Sequence, residues 1–220
     1  MITVDVRGET LIFDQRRAVF WPREQALIIA DTHFGKSAVF RREGIALPEG
    51  SDAADLAIMG DLVSDYAAKS LYILGDFVHG PLPRNHRFHS QFNAWRRGFP
   101  SLNLHVVLGN HDLHLHRQCL DEVHWHHRIG LPPFELVHEP NSGTDFFLAG
   151  HIHPVARLST RADSLRMPIF WWRDDGLVLP SFGALTGGFS IPPRARERRY
   201  GVGPETVMEL PGAGRKTARR

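Results

Sequence analysis

Along this 220-residue chain, apolar runs of strand-forming residues end again and again in a short group of Asp, Asn or His. Ala26-Leu-Ile-Ile-Ala30 ends at Asp31-Thr32-His33, and Leu71-Tyr-Ile-Leu74 at Gly75-Asp76. Asn103-Leu-His-Val-Val-Leu108 runs into Gly109-Asn110-His111-Asp112, Phe134 to His138 finishes on a histidine, and Phe146 to Gly150 opens onto His151-Ile152-His153. Short aliphatic runs of this kind read as strands, and a continuous one suits a strand covered on both faces. In open α/β sheets ligands bind at the carboxyl edge of the strands. The pattern therefore predicts a sheet whose edge collects two carboxylates, one amide oxygen and four imidazoles, enough for two borderline metals with solvent completing them.

Singly, the segments are ambiguous. Gly75-Asp76 is an ordinary turn pair, and Asp31 would serve well as the cap of a helix beginning near Phe34. His151-x-His153 fits a mononuclear zinc site or two exposed histidines equally, and His138 alone says nothing. Residues i and i+2 of a strand share a side, so Asp31 with His33, and His151 with His153, are each expected to aim two ligands at one place. Gly109-Asn110-His111-Asp112 discriminates, because an apolar strand followed by this tetrapeptide is rarely a mere turn.

The rest of the chain fits one domain over residues 1–211 with a basic, disordered tail at 212–220. Thr3 to Val6 and Thr10 to Phe13 form a predicted hairpin, with a further strand at Ala18 to Trp21. Helices are predicted over Phe34 to Glu43, Asp52 to Lys69 and Phe88 to Arg97, and further strands over Pro168 to Trp172 and Leu177 to Leu179. Crossovers are expected in the first half and a mainly antiparallel sheet in the second. A net charge of +2 permits nucleic-acid binding without requiring it. The excess lies at the end, where Arg194 to Arg220 holds eight Lys/Arg against three Glu. The single cysteine, Cys119, excludes an internal disulfide and thiolate-rich metal sites. No apolar run approaches the roughly 18–20 residues that cross a bilayer, and Met1 to Phe13 lacks a basic-then-apolar leader, so a cytoplasmic protein without membrane partners is expected.

The ordered motifs D-x-H, G-D, G-N-H-D, H and G-H-x-H, from about Ala26 to Pro154, resemble those of the calcineurin-like metallophosphoesterase superfamily. The resemblance implies an α/β fold: a β-sandwich of two mixed sheets flanked by helices in four layers, α-β-β-α. It also implies a dinuclear centre, with Asp31, His33 and His153 on one metal, Asn110, His138 and His151 on the other, and Asp76 bridging. Two divalent cations are implied as cofactors, manganese being favoured by the mixed N/O set over iron or zinc. Such a pair would carry excess positive charge suited to a phosphate and would share a hydroxide as nucleophile. His111, not needed as a ligand, is the expected general acid, with Asp112 holding its ring. A packing role for His111 is the alternative.

A narrower resemblance rests on His33-Phe-Gly-Lys36, Phe40-Arg-Arg-x-Gly44, Leu47-Pro-x-Gly50, Gly75-Asp-x-x-His79, Gly150-His-x-His-Pro154 and Leu179-Pro-x-Phe-Gly183 through Thr186-Gly-Gly188. These look like the bacterial DNA ligase-associated, damage-response phosphodiesterase/endonuclease group. That implies a DNA-repair phosphodiesterase with DNA as substrate, working beside an ATP-dependent ligase, a helicase and an exonuclease. Lys36, Arg41 and Arg42, with Arg84 and Arg87, are candidate phosphate contacts, or equally a solvated helix face and loop. His79 could touch substrate phosphate or hold its own loop. Phe170 to Arg173 could stack bases, although filling a sheet face is the simpler expectation. Competing functions are a phosphatase, a nucleotide or small-molecule phosphodiesterase, and a non-catalytic protein-binding scaffold of the same fold.

Overall fold

The N-terminal sheet follows sequence order. Strands β1 (Ile2–Val6), β2 (Glu9–Asp14), β3 (Ala18–Trp21) and β4 (Ala26–Ile29) pair antiparallel in succession. From β4 the chain changes to parallel pairing through β5 (Ser70–Leu74), β6 (Asn103–Val107) and β7 (His124–His126). The computed structural model describes residues 1–42, 44–45, 50–140, 145–159 and 164–213. Part of the Leu47-Pro-x-Gly50 motif and residues 214–220 of the expected tail thus lie outside the described residues, as does the Arg42 side chain.

Parallel strands need long crossovers, and these carry the helices α1 (Lys36–Arg42), α2 (Ser51–Asp65) and α3 (Arg87–Arg97). The first two begin or end where backbone conformation forces it. The first is shorter than predicted because Gly35 is left-handed at φ +78° and Phe34 bridges to Val78 instead of starting a helix. The second stops before Lys69 because Ala67 is left-handed and the Lys69 N–H turns to the Gln25 carbonyl, feeding β5. Leu56, Met59, Leu62 and Val63 of α2 and Phe88 and Phe92 of α3 pack on Leu27, Ile29, Leu71, Ile73, Leu104 and Val106.

The second sheet comprises β8 (Ile129–Leu131), β9 (Phe134–Leu136), β10 (Phe146–Ala149), β11 (Pro154–Ser159), β12 (Ser164–Trp172), β13 (Gly176–Val178), β14 (Phe189–Ser190), β15 (Arg198–Val202) and β16 (Val207–Glu209). It is mixed: β10 lies parallel to β9 and β13, whereas β12 pairs antiparallel with β11, β13 and β15. The two sheets face each other across one core, where Phe13 stacks on Phe170 at 4.5 Å and Trp21 meets Phe134 edge-on at 4.9 Å. Phe170 and Trp171 are buried, so this aromatic run fills the sheet.

The sandwich of two mixed sheets is the expected one, but its helices are one-sided. Among the described residues they cover only the outer face of the first sheet. On the outer face of the second, Phe147, Ile169, Trp171 and Val178 are covered by Ile191 and Leu210 from the chain's last turns and strands. No helix among the described residues is long and apolar enough to cross a membrane.

Candidate metal centre

The loops leaving β4, β5, β6, β9 and β10 meet at one edge, and their backbones are bent to do so. Asp31, His33, Asp76, His151 and His153 all have φ between 46° and 68°. Non-glycine residues in this left-handed region are costly and gather at functional sites. The ligands therefore do not reach one place by strand alternation, as the i, i+2 spacing predicts. Asp31 and His33 follow the end of β4, and His151 and His153 lie in the bend between β10 and β11.

Neighbouring segments hold these bends. The N–H groups of Asp31, His33 and Phe34 donate to the carbonyls of Gly75, Asp76 and Phe77, at 3.2, 2.8 and 2.9 Å. The Ser181 hydroxyl donates to the Asp31 carbonyl at 2.8 Å, and the Phe182 N–H to that of Ala30 at 2.8 Å. The late Leu179 to Gly183 motif is thus a clamp on the first metal loop. Asp52, from α2, accepts the Gly35 N–H at 3.0 Å and fixes the turn between His33 and Lys36. Neither contact is visible as a sequence pattern, because each joins residues that are remote in the chain.

Two donor groups result. Asp31, His33, Asp76 and His153 form one, and Asp76, His138 and His151 the other. Asp76 belongs to both, its Oδ2 lying 3.8 Å from His33 Nε2 and its Oδ1 3.5 Å from His138 Nε2. Asn110 joins the second group, with Oδ1 3.1 Å from His138 Nε2, and His151 Nδ1 approaches the same nitrogen at 3.1 Å. Across the first group His33 Nε2 and His153 Nε2 are 3.3 Å apart, and His153 Nε2 is 3.5 Å from Asp31 Oδ1.

The chemistry of this set fits cations. Asp31 and Asp76 are buried carboxylates faced by imidazoles. Burial, followed by neighbouring His153, pushes the His33 imidazole down to about 2, so it stays neutral with a lone pair to offer. His138 Nδ1 lies 3.1 Å from the Leu74 carbonyl, which fixes the proton there and leaves Nε2 for a ligand bond. His33 Nδ1 is 3.4 Å from His79 Nδ1, an equivalent outer partner for the other site. Buried anions and convergent lone pairs at 3–4 Å are unfavourable without positive charge between them.

Of the remaining predicted residues, His111 stands at the rim, with Nε2 4.0 Å from Asp76 Oδ2 and its ring stacked on His79 at 5.1 Å. His33, His79 and His111 form a third group of converging nitrogens. His79 also stacks on Phe40, and burial and then Lys36 push its imidazole down to about 4. Lys36 is half-buried beside these rings; burial lowers its ammonium, against the pull of Asp76. Arg41 is different, because its charge acts, with His86 and Arg87, on Asp52.

Asp112 requires a correction. Its fully buried carboxylate does not hold the His111 ring; it accepts the N–H groups of Gly109, Phe77 and Val78 at 2.9, 3.2 and 3.1 Å. The tight turn over Asn110–His114 points this side chain inward, where it ties the Asp76 loop to the Asn110 loop. Burial raises the carboxyl and these backbone donors oppose the rise.

A carboxylate shared between two N/O donor groups, at the carboxyl edge of a two-sheet sandwich, defines a metal-dependent hydrolase. The chain belongs to the calcineurin-like phosphoesterase family, whose family model matches residues 25–212, and it is a metal-dependent phosphoesterase. Among solved structures it is similar to the nuclease MPE of Pseudomonas putida, with 33% identity and a TM-score of 0.80 over 95% of this chain and 99% of that one. A protein of unknown function from Aquifex aeolicus aligns with 18% identity and a TM-score of 0.40, over 58% of this chain and 78% of its own. No curated protein matches the chain.

Proposed function

We propose that this phosphoesterase cleaves phosphodiesters, DNA among them, with two manganese ions held by Asp31, His33 and His153 on one side, Asn110, His138 and His151 on the other, and Asp76 between. The observation that carries this reading is the division of the Asp76 carboxylate, one oxygen facing each donor group. When bound, such ions polarise the phosphoryl oxygens and lower the pKa of the attacking water.

The chain's own residues supply the rest. His111 is the side chain placed to act as general acid: its ring is 37% exposed, it is hydrogen-bonded to the site through its backbone N–H to Asp76 Oδ1, and its Nε2 faces the shared carboxylate. It protonates the leaving oxygen. His79 pairs with His33 through their Nδ1 atoms and stacks on His111, so it orients both rings. Lys36 places a cation beside Asp76 at the phosphate side. The likeness to a nuclease across nearly the whole chain supports a nucleic-acid substrate. The DNA-repair setting and the ligase, helicase and exonuclease partners follow from the motif resemblance; these and a cytoplasmic location belong to the same proposal.

The test is hydrolysis of bis-p-nitrophenyl phosphate and p-nitrophenyl phosphate with added Mn²⁺, by wild type and Asp76→Ala, followed by nicked, gapped and single-stranded DNA. Diester and DNA cleavage lost in Asp76→Ala is the expected result. Monoester turnover alone identifies a phosphatase instead, and tight metal binding without cleavage of any ester or DNA identifies a scaffold.

A further inference from the structure

Beside the second donor group the surface opens into a cleft of about 430 Å³, within the range that holds a small organic molecule. Asn110 and His138 form the wall it shares with the metal centre. Leu108 and Val137 give it apolar lining, joined by the 70% exposed Leu113. Its polar groups are Arg117, His127, Arg128, Glu135 and Glu139. Arg128 is bound to Glu135 at 3.0 Å, and the Arg117 guanidinium lies over the Trp125 ring at 5.4 Å. The charges nearly balance, two arginines against two glutamates. A second phosphate would find little net attraction here, whereas a planar, uncharged group with hydrogen-bonding edges finds apolar surface, a guanidinium and an imidazole.

The position of His111 says which part of the substrate this is. Its ring faces His33 at 5.3 Å and His79 at 5.1 Å, and it does not line the cleft. In-line displacement places the leaving oxygen next to the acid that protonates it, hence on the His33–His79 side. The attacking oxygen enters opposite it, so the substituent that stays on phosphorus is equatorial, and the direction past Asn110 and His138 is the one that opens onto this cleft.

We propose that this cleft is a nucleoside subsite that binds the retained substituent of a phosphodiester and thereby favours diesters over monoesters. The proposal rests on the phosphodiesterase reading above. In the reaction water adds its oxygen to phosphorus and the bond from phosphorus to the leaving oxygen breaks. That oxygen takes a proton, and a nucleoside monophosphate remains in the cleft. A monoester has nothing to place there and forgoes that binding energy.

Two diesters with the same leaving group test it: thymidine 5′-(p-nitrophenyl phosphate) and methyl p-nitrophenyl phosphate, each with Mn²⁺. Wild type is expected to favour the thymidine ester by tenfold or more in kcat/KM, about the effect of one good contact, mainly through KM. Arg117→Ala/His127→Ala should bring that ratio close to one while leaving methyl ester turnover unchanged, since neither residue touches the metal groups. A Leu113→Trp variant, which crowds the cleft from its exposed rim, should lower the ratio in the same way. A wild-type ratio near one, or a ratio that survives both variants, overturns the subsite. If wild type cleaves neither diester, the phosphodiesterase reading itself has failed, and the two failures are distinct.

Discussion

The Nδ1 of His138 lies 3.1 Å from the main-chain oxygen of Leu74, and the imidazole passes so close over Gly75 that a Cβ there would overlap the ring. A strand end and a proposed metal ligand from the opposite sheet thus depend on the absence of one side chain. Gly75 is also left-handed, at φ +79°, so alanine meets both a clash and backbone strain. Gly75→Ala is expected to weaken one of two bound ions by about 10- to 100-fold, the scale of outer-partner losses at metal sites. Calorimetric titration with Mn²⁺ should show two sites of unequal affinity in the variant, with thermal unfolding of the metal-free proteins still cooperative.

Asp112 sets a second expectation, opposite in kind to that of a ring-orienting carboxylate. Three backbone donors depend on it, so Asp112→Ala leaves them buried and unpaired. Each such group costs roughly 1–3 kcal/mol. A loss of about 3 kcal/mol or more in urea-induced unfolding is expected, together with weaker metal binding as the Asp76 and Asn110 loops part. His111→Ala should change neither. Were Asp112→Ala to keep its stability and shift only the pH profile of turnover, the carboxylate would be acting on the imidazole after all.

The motifs were legible because each proposed ligand sits at a strand end, and strands announce themselves as apolar runs. What stayed hidden was how the ligands converge. Left-handed backbone at Asp31, His33 and Asp76 replaces strand alternation, and it is held by contacts from Ser181, Phe182 and Asp52, far away in sequence. The strand His124–His126 was hidden for another reason: its polar histidines look like surface, yet His124 is paired in register with His105 of β6. The hairpin of β11 with β12 shows no clean alternation because Arg157 and Arg166 face each other across it. The cleft next to Asn110 gathers Leu113, Arg117, His127 and Glu135 from separate segments, and no motif foretells it.

The general-acid role proposed for His111 makes a prediction about leaving groups. An alkoxide leaves badly without a proton, whereas p-nitrophenolate is stable alone. His111→Gln should therefore lower kcat on a dinucleotide by about 10²–10⁴-fold and barely affect p-nitrophenyl diesters. Metal stoichiometry should be unchanged, because His111 Nε2 stands 4.0 Å from Asp76 at the rim. Equal losses on both substrates would mean that His111 positions the phosphate instead.

Asp55 lies in α2 beneath the loop that clamps the metal centre, and burial raises its carboxyl to about 6, against the Ala184 N–H it accepts; neighbouring Asp52 adds to the rise. The sign follows from linkage. A carboxyl whose folded pKa exceeds its unfolded value of 3.8 favours the native state while protonated, and that contribution disappears as pH rises from about 4 through about 6. The difference of roughly two pKa units corresponds to about 3 kcal/mol. Asp55→Asn keeps an oxygen for the Ala184 N–H and removes the charge. Urea unfolding at pH 4 and pH 7, with chelator present so that the metal ligands titrate alike in both proteins, should show similar stability at pH 4. At pH 7 the variant should be the more stable by up to about that amount. A variant less stable than wild type at pH 7 would mean that the ionised carboxylate is itself a required acceptor, strengthening the bond to the clamp by more than burial opposes it.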